Sequence, residues 1–234
     1  MTISSLGLFF PMYNERKSIE KFIGHIEQEV SQIGIDDYEI LLVDDGSRDG
    51  CDQIVAEWAQ RNPHVRMVQH EQNQGYGAAL RTGFLESRKA VVFYTDTDLP
   101  ADIADLERAL PLMAEADLVI GYRVERHETL RRAIYSRIYN FLMRLFFDVH
   151  VRDVNFSFKV VRREVLDKIQ LTATSVFIDG QLLAEARRYG FAIAEIPIEY
   201  TPREFGVSNF DSFQAAWSTL TEMVIYLLKK SQKP

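Results

Sequence analysis

Two aspartates, Asp96 and Asp98, directly follow the apolar and aromatic run 91–95. Such a run predicts a buried parallel strand, and side chains two positions apart in an extended chain leave on the same face. Two like charges held close together need a partner, a shared proton or a cation. Carboxylate oxygens beside a diphosphate suit Mg²⁺ or Mn²⁺, so we expect a divalent cation here. A solvated acidic loop is the competing interpretation, because Asp-x-Asp alone is a weak pattern.

A second acid pair, Asp44 and Asp45, follows a second apolar run at 38–43. Strand, loop and helix patterns alternate at least three times in the first half of the chain. This order predicts an α/β fold with a Rossmann-like, mostly parallel sheet flanked by helices on both faces. Ligands of such sheets bind at the carboxyl ends of the strands. The loops expected there carry Tyr13, Glu15, Asp45, Asp96 and Asp98.

The spacing of hydrophobic residues and the positions of capping and breaking residues predict several further helices and strands. A strand at 6–10 is expected to stop at Pro11, and a helix is expected between an N-cap at Ser18 and a stop at Gly34. We also expect a helix at 103–116, a strand at 153–161, and a strand at 191–200 with Pro197 marking an edge or bulge. A further helix opens at 177, where Asp179 is a candidate N-cap.

The composition is that of an ordinary globular protein and excludes some classes. The chain has 234 residues, 47% of them hydrophobic, without repeats or linkers, so we expect a single domain over 1–234. The net charge of -7 argues against a nucleic-acid binder. Cys51 is the only cysteine, which favours a reducing compartment, and the N-terminus lacks the basic region of a signal peptide. We therefore expect a cytoplasmic protein, with no apolar run of the ~18 residues that a membrane span needs.

The segment 122–150 is basic and amphipathic. It interleaves arginines with aromatic and aliphatic residues, a pattern compatible with an anionic membrane surface on the inner face of a membrane. An ordinary helix, with its apolar face on the core and its arginines in water, fits the pattern equally well. The amphipathic helix expected at 210–230 is open to the same two interpretations, lying on a bilayer or packing on the domain.

Two sets of motifs run in order along nearly the whole chain. The first set is Pro11-x-Tyr13-Asn14-Glu15, Val43-Asp44-Asp45-Gly46-Ser47, Gly75-Tyr76-Gly77-Ala78-Ala79 and Asp96-x-Asp98. The second set is Gly121-Tyr122-Arg123, Arg132-x-x-x-Ser136-Arg137, the segment 153–159 and Arg203-x-x-Gly206-x-Ser208. With the first set the chain resembles the family 2 glycosyltransferases of the GT-A fold, and the second set indicates the branch that makes dolichyl- and polyprenyl-phosphate sugars.

The resemblance implies an inverting hexosyl transfer from a GDP- or UDP-sugar to a polyprenyl phosphate. It implies that Asp96 and Asp98 hold Mg²⁺ or Mn²⁺ against the diphosphate, with backbone contacts from Thr97, and that Arg203 reaches the same diphosphate. The acceptor's phosphate would be received by Arg123, Arg132 and Ser136. The residues implied to hold the nucleoside are Pro11, Tyr13, Glu15, Val43 and Asp45.

Three positions depart from the family pattern. Tyr76 and Asn209 stand where lysine is frequent, so two positive charges near the donor are missing. Some members of the branch carry a third metal ligand, Gln, after the acid pair, whereas this chain has Leu99-Pro100-Ala101-Asp102.

The acceptor decides whether a catalytic base is needed. A phosphate acceptor is already anionic at neutral pH, whereas a hydroxyl acceptor needs a general base, for which Asp153 and Asp179 are the candidates. A transferase acting on a saccharide or natural-product hydroxyl therefore stays open. The unusual Tyr76 and Asn209 leave open a third function, a catalytically silent module that binds nucleotide-sugars.

Overall fold

A computed structural model describes residues 3–98, 101–124, 130–199 and 213–231, without the side chains at 130–132, 213–215 and 230–231. Within this part of the chain, seven strands form one sheet in the order β3-β2-β1-β4-β6-β5-β7, and only β6 runs antiparallel to its neighbours. The strands are β1 (Leu6–Met12), β2 (Tyr38–Asp44), β3 (Val65–Gln69), β4 (Val91–Tyr94), β5 (Leu118–Arg123), β6 (Lys159–Arg162) and β7 (Ile193–Ile198). The predicted α/β fold is confirmed.

Helices cover both faces of this sheet. They are α1 (Ile19–Ile33), α2 (Cys51–Arg61), α3 (Tyr76–Glu86), α4 (Leu106–Ala109), α5 (Leu130–Phe147), α6 (Arg163–Lys168), α7 (Phe177–Arg188) and α8 (Phe213–Ser231). One core packs α1, α2 and α4 against one face, and a second core packs α3, α5, α6, α7 and α8 against the other. Every residue of α7 from 177 to 186 is buried, because α7 contacts α3, α5 and α8.

The local rules hold best where hydrophobic periodicity is clean. Helix α1 begins after Ser18, ends at Gly34 and buries Ile19, Phe22, Ile23, Ile26 and Val30, which confirms the predicted helix. Pro197 lies in β7, at one end of the strand order, so its missing N–H falls on an edge strand as predicted.

Two of the predicted strand bounds were wrong. Strand β1 continues through Pro11 to Met12, because β1 pairs with β4 only as far as Phe9 and the missing N–H interrupts no bond on that side. The segment 153–158 is irregular, and the strand begins only at Lys159. Its alternating apolar residues serve both cores instead, since Val154 packs on one face of the sheet while Phe156 and Phe158 pack on the other.

Two predicted helical features also differ. The segment 103–116 forms short 3₁₀ and α turns, with Pro111 in the second 3₁₀ turn, in place of one continuous helix. Asp179 is not the N-cap of α7, because the cap position is Val176 and Asp179 lies inside the helix. Cys51 is buried at the start of α2.

Candidate active site

The carboxyl ends of the parallel strands lie at one edge of the sheet, and the predicted site residues collect there. Strands β1, β2, β4 and β5 end at this edge, and antiparallel β6 begins there, since Lys159 pairs with Tyr94. Pro11 and Val43 are neighbours in the β1–β2 register. The predicted site residues at or just beyond these strand ends are Pro11, Tyr13, Glu15, Val43, Asp45, Asp96, Thr97, Asp98, Arg123 and Asp153.

The loops after β1 and β2 are joined by hydrogen bonds. Asn14 has a φ of 57°, its N–H donates to Ser47 Oγ at 2.9 Å, and its Oδ1 accepts from Arg48 N at 2.9 Å. The N–H of Arg16 donates to Asp49 Oδ2 at 2.8 Å. Tyr13, next to Asn14, is 44% exposed, so its ring is available to a ligand.

The carboxylates of Asp44 and Asp45 are enclosed by donors from the protein. Asp44 is fully buried and accepts from Ser47 N at 3.0 Å and Gln69 Nε2 at 2.8 Å. Asp45 accepts from Gln74 N and Gly75 N, each at 2.8 Å. The Nδ1 atom of His70 lies 2.7 Å from Asp45 Oδ1, and because a carboxylate only accepts, this nitrogen carries the proton. Asp44 and Asp45 therefore hold the loop after β2 and the glycine turn before α3 in place.

The glycine turn aims the first residue of α3 at the acid pair after β4. Gly75 has a φ of 94°, and a Cβ on Gly77 would lie 2.2 Å from the carbonyl oxygen of Ser175, so both positions require glycine. Between them, the Tyr76 hydroxyl donates to Asp96 Oδ1 at 3.0 Å and also contacts the Tyr94 hydroxyl. Burial, followed by the charges of Asp96 and Asp179, raises the pKa of Tyr76, so its hydroxyl keeps its proton.

Asp96 and Asp98 lie just past the end of β4, where the chain enters a turn at 97–98. The strand rule that predicted one shared face therefore stops at Tyr94 and does not by itself orient the two carboxylates. Both oxygens of Asp98 are shielded from solvent, and Asp96 is held by Tyr76. Across residues 3–98, 101–124, 130–199 and 213–231, no three His, Cys, Asp or Glu side chains form a metal cluster. Two hard oxygen donors suit Mg²⁺ or Mn²⁺ when a diphosphate and water complete the coordination shell.

A buried ion pair lies beneath this edge of the sheet. Lys159 Nζ lies 2.7 Å from Asp179 Oδ1 and also donates to the carbonyl oxygen of Phe156 at 2.7 Å. Both side chains are at most 1% exposed, and Lys159 lies over the Tyr94 ring at 5.5 Å. Burial raises the pKa of the Asp179 carboxyl, although the charge of Lys159 opposes that shift. Asp179, a candidate base, is thus part of the core, away from solvent.

The second candidate base is also paired. Arg123 Nε donates to Asp153 Oδ2 at 2.8 Å, and Asp153 is 1% exposed. The ion pair fixes the Arg123 guanidinium at the end of β5. Ser136 lies partly buried in α5, which also contains the backbone of Arg132, while the Arg132 side chain and Arg203 lie outside the described residues.

Sequence reasoning overlooked two residues that shape this site. In the sequence Tyr76 stands out only as a departure from lysine, although it directly follows Gly75 and begins α3 near the strand ends. Lys159 had no predicted role, although a lysine at the head of the apolar strand Lys159–Arg162 signals a buried ion pair.

Comparisons with known proteins identify the family of this chain. The model of the family "Glycosyl transferase family 2" matches residues 8–170. Polyprenol monophosphomannose synthase of Mycolicibacterium smegmatis is 33% identical over 215 residues, which cover 86% of this chain and 79% of the relative. Dolichyl-phosphate beta-glucosyltransferase ALG5A of Trichomonas vaginalis is 28% identical over 210 residues, which cover 83% of this chain but only 65% of the relative.

A solved structure shares the fold at low sequence identity. Glucosyl-3-phosphoglycerate synthase of Mycobacterium tuberculosis, in complex with Mn²⁺, UDP and glucosyl-3-phosphoglycerate, superposes with a TM-score of 0.68 at 17% identity. The match covers 96% of this chain and 80% of that structure, so the GT-A architecture extends over nearly the whole chain. With its family match covering more than half of its residues, the chain belongs to glycosyl transferase family 2 and is a glycosyltransferase.

Proposed function

We propose that this glycosyltransferase moves a hexose, of the mannose or glucose class, from a GDP- or UDP-sugar to a polyprenyl phosphate. The observation that carries the proposal is the position of Asp96 and Asp98 at the carboxyl edge of the sheet, beside the loops after β1 and β2. This is where ligands of open α/β sheets bind. The relatives named for polyprenol and dolichyl phosphate support the choice of acceptor.

The two parts of the donor, its nucleoside and its diphosphate, are proposed to bind to different residues at this edge of the sheet. Pro11, Tyr13, Glu15, Val43 and Asp45 would line the nucleoside side. Asp96 and Asp98 would hold Mg²⁺ or Mn²⁺, with Thr97 contributing backbone contacts, and Arg203 would approach the diphosphate. A bound divalent cation would offset the negative charge that develops on the leaving diphosphate.

The acceptor side is proposed to bind a phosphate group. Arg123 is held by Asp153 at the end of β5, so its guanidinium is positioned to form charge-assisted hydrogen bonds. Arg132 and Ser136 lie on the following helix and would complete the phosphate site. Because both candidate bases, Asp153 and Asp179, already form ion pairs, a hydroxyl acceptor that needs base catalysis is the less favoured substrate.

The outer helices fit a peripheral contact with a membrane surface. Helix α5 exposes a stripe of large apolar side chains, and α8 exposes a second stripe: Ile134, Ile138, Phe141 and Leu145 on α5, and Trp217, Leu220, Val224 and Leu228 on α8. Beside the first stripe, a cavity of about 450 Å³ is lined by Arg137, Arg144 and Arg152. Apolar side chains flanked by arginines suit the interface of an anionic bilayer. None of the helices in the described residues is long and apolar enough to cross a bilayer.

Nucleoside diphosphate release tests the reaction. The purified protein would be incubated with Mg²⁺ or Mn²⁺, with GDP- or UDP-linked mannose or glucose, and with a short-chain polyprenyl phosphate. We expect release of one nucleoside diphosphate only when the phosphorylated lipid is present. Release with free sugars or polyprenols, and none with the phosphate, would contradict the acceptor assignment.

Liposome flotation tests the membrane surface separately. Phe141→Ser should lower the fraction of protein bound to anionic vesicles, because it removes an exposed apolar side chain from the α5 stripe. Leu85→Ser is the matched control, since Leu85 and Phe141 are both 62% exposed but Leu85 lies on α3. Equal losses from the two variants would contradict a role of the α5 stripe.

A further inference from the structure

Tyr76 is held in place by contacts on both sides of its backbone. Asp45 accepts from Gln74 N and Gly75 N, which fixes the turn before it. Gly77, after it, packs against the backbone of Thr174 and Ser175 so closely that no Cβ fits. The direction in which the Tyr76 side chain leaves α3 is therefore set by the fold, independently of any ligand.

That direction brings the phenol to the acid pair. The Tyr76 hydroxyl donates to Asp96 Oδ1 at 3.0 Å and contacts the hydroxyl of Tyr94, which is fully buried in β4. Beneath it, Lys159 lies over the Tyr94 ring and is neutralised by Asp179. The group that donates to Asp96 is thus a neutral hydroxyl on a side chain that the fold holds in place. A lysine at position 76 would instead have brought a second cation close to a bound metal.

We propose that Tyr76 is a positioning residue for the divalent-cation site, holding Oδ1 of Asp96 so that the carboxylate keeps one orientation toward the cation. This inference rests on the proposed function, in which Asp96 is a ligand of Mg²⁺ or Mn²⁺. A hydrogen bond to one oxygen restricts rotation of the carboxylate about its last torsion, so less orientational freedom is lost when the cation binds. Partners of this kind commonly change metal affinity by 10–100-fold when they are removed.

Mn²⁺ binding followed by electron paramagnetic resonance tests the proposal without requiring turnover. Free Mn²⁺ would be titrated against wild type, Tyr76→Phe, Tyr94→Phe and Asp96→Ala, each with UDP or GDP present and absent. Tyr76→Phe should bind Mn²⁺ roughly tenfold more weakly than wild type, and Asp96→Ala more weakly still. Tyr94→Phe is the matched control, because it removes the neighbouring hydroxyl while the bond from Tyr76 to Asp96 remains.

The outcomes separate this inference from the proposed function. If Tyr76→Phe binds Mn²⁺ as tightly as wild type while Asp96→Ala does not, the positioning role is wrong and the metal site stands. If wild type binds no better than Asp96→Ala, the metal site itself is wrong. If Tyr94→Phe weakens binding as much as Tyr76→Phe, the effect comes from packing around the two rings and the proposal is also overturned.

A spectroscopic measurement on the wild-type protein is independent of whether the variant folds. Mg²⁺ would be added stepwise to the protein in the presence of inorganic pyrophosphate, which does not absorb in the near ultraviolet. Tyrosine absorption would be recorded as a difference spectrum at each step. The absorption band of a phenol that is hydrogen-bonded to a metal-ligating carboxylate should shift until the Mg²⁺ site is saturated. The baseline is the spectrum of the protein in buffer without Mg²⁺ or Ca²⁺. If wild type binds Mn²⁺ in the resonance titration and its difference spectrum still stays flat at saturating Mg²⁺, the positioning role is wrong. If wild type binds no Mn²⁺ either, the metal site itself is wrong.

Discussion

The acid pairs Asp44–Asp45 and Asp96–Asp98 each lie at the carboxyl end of a buried strand that neighbours β1, yet their carboxylates have different surroundings. The first pair accepts hydrogen bonds from main-chain N–H groups of Ser47, Gln74 and Gly75. At the second pair, a tyrosine side chain reaches Asp96, and the oxygens of Asp98 are enclosed at a turn. The first pair therefore links two loops, which would fix the nucleoside side of the proposed donor site, whereas we propose the second pair as the ligands of the cation.

Replacing Asp96 should give the largest effect, and on activity. Asp96→Ala removes a proposed metal ligand, so we expect turnover to fall by roughly 10³-fold or more. The unfolding midpoint should change little, because Asp96 lies beyond β4 and the Tyr76 hydroxyl that it leaves can still bond to the hydroxyl of Tyr94. Nucleoside diphosphate release and thermal unfolding of the same preparation measure both. A stable variant with nearly wild-type turnover would break the comparison.

Replacing Lys159 should give the largest effect on stability. Lys159→Met leaves Asp179 as an uncompensated buried charge, which should lower the free energy of unfolding by about 3–5 kcal/mol. The double variant Lys159→Met/Asp179→Leu should recover most of that loss. Lys89→Met is the control, because its partner Asp37 is 63% exposed and such pairs contribute about 1 kcal/mol or less. Equal losses from the two lysine variants in urea unfolding would contradict this assignment.

Replacing Asp45 should lower the free energy of unfolding more than replacing Asp96 does, and it should lower turnover less. Asp45→Ala leaves the N–H groups of Gln74 and Gly75 without their acceptor, so we expect a loss of about 2–3 kcal/mol in the free energy of unfolding. Asp36→Ala, at an exposed position, is the control and should change the free energy little. An Asp45→Ala protein as stable as wild type would show that the turn does not depend on this carboxylate.

A smaller, pH-dependent effect is expected at Glu222, a half-buried carboxylate that accepts hydrogen bonds from Thr174 and Ser175. Burial raises its pKa, but hydrogen bonds from Ser175 and Thr174 outweigh burial and leave the pKa below the ordinary value of 4.5. A lowered pKa stabilises the folded state above pH 4.5, and this contribution disappears as the pH falls through the folded pKa.

The Glu222→Gln variant measures this contribution. It should be less stable than wild type at neutral pH, by no more than about 1 kcal/mol because Glu222 is partly solvated. The difference should shrink as urea unfolding is repeated at falling pH. A difference that stays constant down to the acid limit would contradict the assignment.

Much of the fold was predictable because its signals are local. Apolar runs that end in acids located β2 and β4, and the periodicity of α1 with Ser18 and Gly34 located that helix. The segment 153–158 defeated the same reasoning, because alternating Val154, Phe156 and Phe158 resemble a strand while they pack on opposite faces of the sheet. Alternation reports which residues are buried, and it does not report whether they share a ladder.

The site was only partly predictable, because its pairings join distant residues. Sequence spacing placed Asp45 and Asp96 at the same edge of the sheet. It did not reveal that Tyr76 reaches across 20 positions to Asp96, or that Asp179 pairs with Lys159 inside the core. Such pairings depend on how α3 and α7 cross the sheet, which no local pattern encodes.

A crystal structure of the protein soaked with Mn²⁺ and either UDP or GDP tests the central claim most directly. The anomalous signal of Mn²⁺ locates the cation independently of any assumption about its ligands. We expect one peak within coordination distance of the Asp96 and Asp98 carboxylates and the diphosphate, with Asp44 and Asp45 making no contact to the cation. A peak at Asp44–Asp45, or a bound nucleotide remote from Asp96 and Asp98, would contradict the account.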